Sequence, residues 1–205
     1  RVGFILPSNE SSLTSGHLTS MHRAADSTMR GAIYADEVLH SRFADAGVDL
    51  RSFFASAPDA QASERAAQRM IALDGIDVVI GGFGDEVASA ISRVAMSTDT
   101  PFVNVGSGSS DLRSAREDAP VFHVAHSDEQ YLRAISAWTG GSGIGDWSVA
   151  LFDDAAGRRR LDLARSVARA TGARIASVHV LDRTEPTYGP IIGEAADVDS
   201  GLLLM

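Results

Sequence analysis

The sequence predicts an α/β protein made of two doubly wound, parallel-sheet lobes. Short apolar runs without polar alternation occur along the chain, and such runs are typical of parallel strands that are buried on both faces. Each run is followed by a segment whose apolar residues recur at helical spacing, which is the pattern of strand–helix units. The pattern pauses in a charged segment near residues 111–118 and then restarts. We therefore expect one lobe at residues 1–121 and part of a second at 122–205.

A strand and a long helix open the chain. Val2–Leu6 is a short apolar run that ends at Pro7, which is typical of a buried strand. The polar stretch that follows, to about Ala25, is predicted to be a long connection. From Asp26 onward, apolar residues recur near helical spacing as far as Gly47, a residue type that commonly ends helices. This periodicity predicts the first helix.

The strand–helix unit then recurs twice and is followed by a fourth strand. In the first of the two helices Ala66, Met70 and Leu73 share one face, so we expect all three to point inward. The elements predicted here are strand Leu50–Ala55, helix Ser63–Leu73, strand Val78–Gly81, a helix from Asp85 or Glu86 to about Thr98, and strand Pro101–Val105.

The second lobe is predicted from the same pattern. In its first helix Leu132, Ile135 and Trp138 are expected to point inward. Because a sheet that ends on its last strand has no covering helix, we expect the natural protein to continue beyond Met205. The predicted elements are strand Val121–Val124, helix Asp128–Trp138, strand Ser148–Phe152, a helix from about Arg158 to Ala170, strand Arg174–Leu181 and a last strand from Gly201.

The composition excludes several classes of function. The chain has 205 residues, 44% of them hydrophobic, which is enough to form a core. Its apolar runs are far shorter than the roughly 20 residues of a membrane-spanning helix, so no membrane insertion is predicted. Basic residues number 18 and acidic residues 27, and this excess of negative charge disfavours a nucleic-acid partner. The absence of cysteine and lysine excludes disulfides, cysteine nucleophiles and lysine-dependent phosphate or Schiff-base sites.

Two glycine-rich turns are candidates for a ligand site in the first lobe. Gly81-Gly-Phe-Gly-Asp85 and Val105-Gly-Ser-Gly-Ser-Ser110 each follow a predicted strand, and open α/β sheets bind ligands at the carboxyl ends of strands. Small residues let a ligand approach the backbone, whose amides donate hydrogen bonds. The alternative is that these residues only form tight turns and caps. The candidate ligand-binding residues are Gly84, Asp85, Gly106, Ser107, Gly108 and Ser109.

The carboxylates of the first turn have two interpretations. Asp85 and Glu86 at a helix start can simply satisfy its amides and its dipole, and they disfavour an anionic ligand at this turn. Alternatively, Asp85 holds an ammonium group or accepts a hydrogen bond from a hydroxyl of the ligand. Ser107 and Ser109 would then be neutral hydrogen-bonding partners.

The second lobe offers Asp154 and Arg158. The pair Asp153-Asp154 follows a predicted strand, but adjacent side chains do not aim at one point, so helix capping is favoured over a metal or acid–base pair. Arg158 lies near a helix start, where the dipole disfavours a cation. A bound anion would compensate for that placement, so Arg158 is a candidate ligand contact.

No catalytic residue, metal site or cofactor is predicted. The glycines of Gly140–Gly145 follow a helix and precede a strand, which is the reverse of the context that a dinucleotide-binding turn requires. The six histidines lack the spacing of a helical zinc motif. The G-x-S-x-G motif of serine hydrolases is also absent.

Five segments, in this order and spacing, carry a resemblance to a known family. They are Val2-Gly-Phe-Ile-Leu-Pro7, Arg30-Gly-Ala-Ile-Tyr-Ala35, Ile76-Asp-Val-Val-Ile-Gly-Gly82, Thr100-Pro-Phe-Val-Asn-Val-Gly106 and Ser148-Val-Ala-Leu-Phe-Asp-Asp154. Over nearly its whole length the chain resembles type I periplasmic solute-binding proteins of the Leu/Ile/Val-binding kind, which serve ABC importers. Phe102–Gly106, Asp111–Arg113, Phe122–Ala125 and Tyr131 are similar to the branch associated with PQQ-dependent alcohol oxidation systems.

The resemblance implies two lobes joined by crossing strands, with a solute held between them and no chemical conversion. Family pockets use the turn after the third strand, here Gly84 and Asp85, and the turn after the fourth, here Gly106–Ser109. They also use the turn near Asp154–Arg158. Amino-acid binders commonly have Ser near the position of Asp85 and Tyr near that of Arg158. These two departures weigh against an ordinary α-amino acid as ligand.

The expected function is therefore capture of a small polar solute, amino acid-like or related, for the membrane permease of an ABC importer. We expect a bacterial, exported, periplasmic protein whose leader lies outside this chain, and whose hinge closes because the ligand contacts both lobes. Two alternatives stay open. One is a ligand-sensing domain of the same fold that serves a receptor or regulator; the other is an α/β enzyme that uses a nucleotide.

Overall fold

The chain forms two compact units in a computed structural model. The structure describes residues 1–7, 18–113, 119–181, 189–197 and 201–204. Contacts divide the chain into Arg1–Ala125 and His126–Met205. Residues 121–123, which the sequence pattern placed at the restart after the first lobe, pair with the sheet of the first unit. No helix within the described ranges is long and apolar enough to span a membrane.

The first unit contains a five-stranded parallel sheet, which confirms the predicted α/β class. The strands run in the order β2-β1-β3-β4-β5, so β1, β3 and β4 are interior strands and β2 and β5 lie at the edges. All carboxyl ends lie along one edge of the sheet because the pairing is parallel. The strands are β1 Val2–Pro7, β2 Ser52–Ala57, β3 Val78–Gly81, β4 Phe102–Asn104 and β5 Val121–His123.

Three helices connect these strands. They are α1 Leu18–Asp45, α2 Ala60–Arg69 with a π-helical continuation at Met70–Asp74, and α3 Asp85–Thr98. Right-handed crossovers place α1 on the face opposite α2 and α3. The core on the α2–α3 side includes Ile5, Val79, Ile91 and Phe102, each at most 1% exposed.

Helix α1 begins earlier than the sequence pattern indicated. The polar stretch from Ser8 to about Ala25 was expected to be a connection, but its last part, from Leu18, is helical. Residues 8–17 lie outside the described part of the chain. Four of the eight residues from Leu18 to Ala25 are polar, and Leu18 and Met21 are the only large apolar residues among them, so the helical pattern there is too weak to predict the helix start.

The prediction that Leu73 points inward is wrong. Met70 is 1% exposed and Ala66 packs against the core, as expected, but Leu73 is 77% exposed. The chain forms a π-helical turn at Met70–Asp74, which ends at Gly75 in the left-handed conformation (φ 62°). A π turn has more residues per turn than an α-helix. It therefore rotates Leu73 off the face that the 3.6-residue period predicts.

The second unit contains a three-stranded parallel sheet in the order β7-β6-β8. Its strands are β6 Asp146–Phe152, β7 Arg174–Leu181 and β8 Gly201–Leu204, and its helices are α4 Asp128–Gly141, α5 Ala155–Thr171 and α6 Gly189–Asp197. The core contains Leu132, Trp147, Val149 and Leu151. Trp138, expected inward, is 68% exposed. Helix α6 was not predicted from the sequence.

Helix α5 starts directly against the end of β6. Asp154 caps the helix, and its carboxylate accepts a hydrogen bond from Gly157 N–H at 2.7 Å. A Cβ atom on Gly157 would collide with the carbonyl oxygen of Phe152. The close approach of helix and strand therefore requires glycine at this position.

Gly157→Ala is expected to lower the free energy of unfolding by about 2–3 kcal/mol, because the added methyl group meets backbone rather than a movable side chain. Gly140→Ala is the matched control, since Gly140 lies in α4 and a Cβ there has no neighbour within 4 Å. The control should be neutral or stabilising by up to about 1 kcal/mol. Urea unfolding measures both, and equal effects would contradict the packing argument.

Candidate functional site

The turn between β3 and α3 is shaped by glycines with positive φ. Gly82 has φ 91° and Gly84, the N-cap residue of α3, has φ 100°. A Cβ on Gly82 would lie 2.7 Å from Asn104 Oδ1 and 3.0 Å from Phe102 Cζ. Both the backbone conformation and the close contact with β4 therefore require glycine at position 82.

The turn after β4 is built around the side chain of Asn104, which is 0% exposed. Its Oδ1 accepts hydrogen bonds from Ser107 N–H at 3.0 Å and from Gly106 N–H at 3.3 Å. Its Nδ2 donates to Ser107 O at 3.0 Å and to His123 Nδ1 at 2.9 Å. A primary amide has two N–H donors and two acceptor lone pairs, so all four positions are used.

The two turns meet through a hydrogen bond between Asp85 and Ser107. The Ser107 hydroxyl donates to Asp85 Oδ1 at 2.7 Å, and its oxygen accepts from Ser109 N–H at 3.2 Å. Ser107 is 1% exposed and Asp85 is half-buried in the first turn of α3. The carboxylate therefore fixes the relative position of the β3 and β4 ends.

A histidine and an arginine lie at the adjacent end of β5. Burial, followed by the positive charge of Arg113, lowers the pKa of His123, while a hydrogen bond with the Leu112 backbone acts in the opposite direction. Because Nδ1 accepts from Asn104, the neutral tautomer carries its proton on Nε2. Arg113 Nη2 donates to Ala125 O at 2.5 Å.

In the second unit the predicted site residues have partners within their own turn. Asp154 is the N-cap of α5, as described above, which agrees with the capping interpretation. Arg158 is ion-paired with Asp153 through Nη1 and Oδ1, and both side chains are 63% exposed. An exposed pair of this kind contributes little to stability, about 0–1 kcal/mol.

The structure brings together Gly84, Asp85 and the Gly106–Ser109 turn in the first unit, with Gly108 between the two serines. Asp154 and Arg158 lie at the corresponding strand end of the second unit. Sequence analysis did not single out Asn104 or His123. The available signal was Asn104 itself, a polar residue inside the apolar run Phe102–Val105. A polar side chain in a buried strand needs hydrogen-bond partners.

No group of three or more His, Asp or Glu side chains among the described residues is arranged to hold a metal ion. The cavity at Gly140–Gly145, about 220 Å³, lies beside the amino end of β6 and includes Thr139 and Thr171. It is therefore on the opposite edge of the sheet from Asp154.

A family model described as periplasmic binding protein matches residues 55–200, which is more than half of the chain. The chain belongs to the periplasmic binding protein family. The resemblance stated from the sequence is thereby confirmed at the level of the family and its type I fold. The finer likeness to the branch associated with PQQ-dependent alcohol oxidation stays a prediction. A comparison with curated proteins gives no match.

Solved structures of periplasmic binding proteins are similar in fold. A solute-binding protein of an ABC transporter from Rhodopseudomonas palustris BisB5, in complex with 3,4-dihydroxybenzoic acid, has a TM-score of 0.73 and 20% identity, over 100% of this chain and 53% of that one. A substrate-binding protein of an ABC transporter from Sphaerobacter thermophilus has a TM-score of 0.75 and 17% identity, over 100% and 54%. A leucine-binding protein from Thermotoga maritima MSB8 has a TM-score of 0.70 and 15% identity, over 99% and 55%.

These identities show the fold alone. The chain spans about half the length of the matched structures.

Asn104→Ala is expected to destabilise this periplasmic binding protein by about 3 kcal/mol, because it leaves the buried N–H and C=O groups of Ser107 without their partners. Ser97→Ala is the control, since this hydroxyl lies on exposed residue 97 of α3 and bonds only to Val94 O. The control should change stability by at most about 0.5 kcal/mol. Urea unfolding is the measurement, and an Asn104 effect as small as the control would refute the role of the amide.

His123 is expected to make stability fall at acidic pH. Its pKa in the folded protein lies below that of the unfolded chain, about 6.5, so the unfolded chain binds the proton at higher pH. Its contribution to stability is fully present above about pH 6.5 and is lost as the pH falls through the folded-state pKa. His123→Gln should flatten the pH dependence of the unfolding midpoint between pH 7.5 and 5.

His40→Gln, at an exposed position of α1, should keep the wild-type pH dependence. If His123→Gln also keeps the wild-type pH dependence, protonation of His123 does not contribute to the loss of stability at acidic pH.

Proposed function

We propose that this chain belongs to an extracytoplasmic solute-binding protein that captures a small polar solute and presents it to the permease of an ABC importer. The observation that carries the proposal is the 2.7 Å hydrogen bond between Ser107 and Asp85. It joins two strand ends at the carboxyl edge of the sheet, where open α/β sheets bind ligands. Membership of the periplasmic binding protein family supports the same function.

The first unit would supply a turn of fixed shape and one carboxylate. The turn after β4 is held by Asn104, which accepts hydrogen bonds from the N–H groups of Gly106 and Ser107, so the turn keeps its shape before a ligand arrives. Asp85 accepts the Ser107 hydroxyl and retains further acceptor capacity, since an ionised carboxylate has about four acceptor positions. A hydroxyl or ammonium group of the solute would bind there. Groups fixed in advance reduce the entropy lost on binding.

In the second unit, the turn at Asp154–Arg158 is also proposed to contact a solute. The Asp154 carboxylate caps helix α5 and so fixes that turn. We therefore propose that the backbone of the turn contacts the ligand. Arg158 would exchange Asp153 for a ligand group, because an exposed ion pair is weak enough to be replaced. The proposed function involves capture and release, with no chemical conversion.

The experiment is a ligand panel on the intact protein, read by thermal shift and confirmed by calorimetric titration. The panel contains leucine and 3,4-dihydroxybenzoate, suggested by similar structures, together with short alcohols, amides and polyamines. A compound that binds only the folded state raises the melting temperature. Conversion of the bound compound into a product would overturn the proposal, as would failure of every class to bind.

Asp85→Asn is expected to weaken binding of the identified ligand at least about tenfold, because the ligand loses a charged acceptor. Glu86→Gln is the matched control: it removes the same charge from the same helix turn at an exposed residue. The control should change the affinity less than about threefold. Equal losses of affinity in both variants would show that Asp85 acts only through its negative charge at the start of α3.

A further inference from the structure

A groove of about 300 Å³ lies between β2 and α2 in the first unit. Its lining residues are Ala55, Ser56, Ala62, Arg65, Ala66 and Arg69. The alanines are buried or half-buried, whereas both arginines are exposed. β1 and β3 separate β2 from β4, so the groove is distinct from the turn that Asn104 holds. A partner can therefore reach the two positive charges without entering the candidate solute site.

Arg65 and Arg69 lack a counter-charge within the described part of the chain. Neither side chain forms an ion pair or a hydrogen bond with a described residue, whereas Glu64 on the same helix pairs with Arg93 of α3. The two arginines are four positions apart, so they lie one helical turn from each other and their charges repel. Because both line the groove, an anion placed there would relieve the repulsion. The groove is therefore complementary in charge to acidic groups.

Unpaired backbone groups of β2 lie beside this groove. β2 is an edge strand of the described sheet and pairs there with β1 alone. Val2 N–H donates to Arg51 O, so in this parallel register the odd-numbered residues of β2 direct their backbone groups towards β1. The N–H and C=O groups of Ser52, Phe54 and Ser56 consequently point away from the sheet. They are available to another strand.

The β2 edge lacks the features that protect exposed strands from pairing. Its sequence, Ser-Phe-Phe-Ala-Ser-Ala, contains neither a charged residue nor a proline. Its register with β1 is continuous from Ser52 to Ala57, so no bulge twists the edge away. An uncharged and regular edge of this kind is a template for an additional strand.

We propose that β2 and the groove form a docking surface for an extended acidic segment of a partner protein, which adds a strand to this edge and places carboxylates against Arg65 and Arg69. The spacings agree. Four residues of an α-helix rise about 6 Å, and side chains on one face of a strand recur about every 6.6 Å. The partner segment is therefore expected to have acidic residues at alternate positions.

A second copy of this chain fits the edge poorly. Antiparallel pairing of two β2 strands would relate the copies by a two-fold axis perpendicular to the sheet. The arginines of both α2 helices would then lie on the same face of the combined sheet and repel each other. The observed charges thus favour an acidic partner over self-association.

The test measures binding of a fluorescein-labelled octapeptide of alternating glutamate and threonine to the intact protein by fluorescence anisotropy. Wild type should bind it at least about tenfold more tightly than an octapeptide of alternating lysine and threonine, because only the first is complementary in charge. Methylation of all backbone amides of the glutamate peptide should weaken binding at least about tenfold, because methylated amides cannot donate the hydrogen bonds of a strand. A peptide of the same composition, with a block of glutamates followed by a block of threonines, should bind at least about threefold more weakly, since its carboxylates alternate between the two faces.

Two pairs of variants locate the surface. Arg65→Gln with Arg69→Gln should weaken binding at least about tenfold, because two charge-assisted hydrogen bonds are lost. Arg30→Gln with Arg42→Gln is the matched control: it removes the same charge at exposed positions of α1 and should change affinity less than about threefold.

Ser56→Pro removes one outward N–H group of β2 without removing a bond to β1, and should weaken binding at least about tenfold. Ser56→Ala keeps that N–H group and should keep the affinity within about threefold. Circular dichroism checks the folding of both variants. If Ser56→Pro does not fold, the methylated peptide decides whether the backbone of the partner is bound.

Several results would overturn the proposal. Failure of the glutamate–threonine peptide to bind, or equal binding of its methylated form, would refute strand addition. Equal losses in the two double arginine variants would show that only the overall charge of the protein matters. Competition by inorganic phosphate, together with equal binding of the methylated peptide, would reduce the groove to a site for small anions. A wild-type dimer in sedimentation that Ser56→Ala keeps and Ser56→Pro abolishes would assign the edge to a second copy.

Discussion

The architecture of the candidate site depends on one buried amide. Asn104 ends β4, and its side chain satisfies the backbone of the following turn while it also bonds to His123 of the neighbouring strand. A buried polar group is stable only when its hydrogen-bonding capacity is used, and here none is left over. The same four bonds fix the turn, the tautomer of His123 and the position from which Ser107 reaches Asp85. Loss of the amide would therefore affect three strand ends together.

The two units stabilise the carboxyl ends of their strands with different interactions. In the first unit, positive-φ glycines, together with the bond between Ser107 and Asp85, join the ends of adjacent strands. In the second, a single strand end is closed by the cap at Asp154 and by the tight fit of Gly157 against β6. The first arrangement holds several polar groups towards one edge. The second fixes the direction of α5 and leaves charged side chains at the surface.

Local sequence patterns were sufficient for most of the fold. Apolar runs and helical periodicity predicted α3 at its observed bounds and the parallel arrangement of the strands. They failed where the geometry departs from the ideal period, as at Leu73 within the π turn, and where a helix has few large apolar residues, as at the start of α1. The glycine turns could be predicted because glycine adopts backbone conformations that other residues rarely adopt. The partnership of Asn104 with His123 could not, because it joins residues 19 positions apart.

Because all hydrogen-bonding positions of the Asn104 amide are used, the backbone of the turn after β4 is fixed independently of the side chain of Ser109. The course of the turn is set by atoms that are buried, and Ser109 contributes only its backbone N–H to that framework. The side chain at position 109 can thus be exchanged without redirecting the main chain. The edge is suited to laboratory redesign: a small library of substitutions at position 109 would sample new side-chain chemistries on an unchanged backbone.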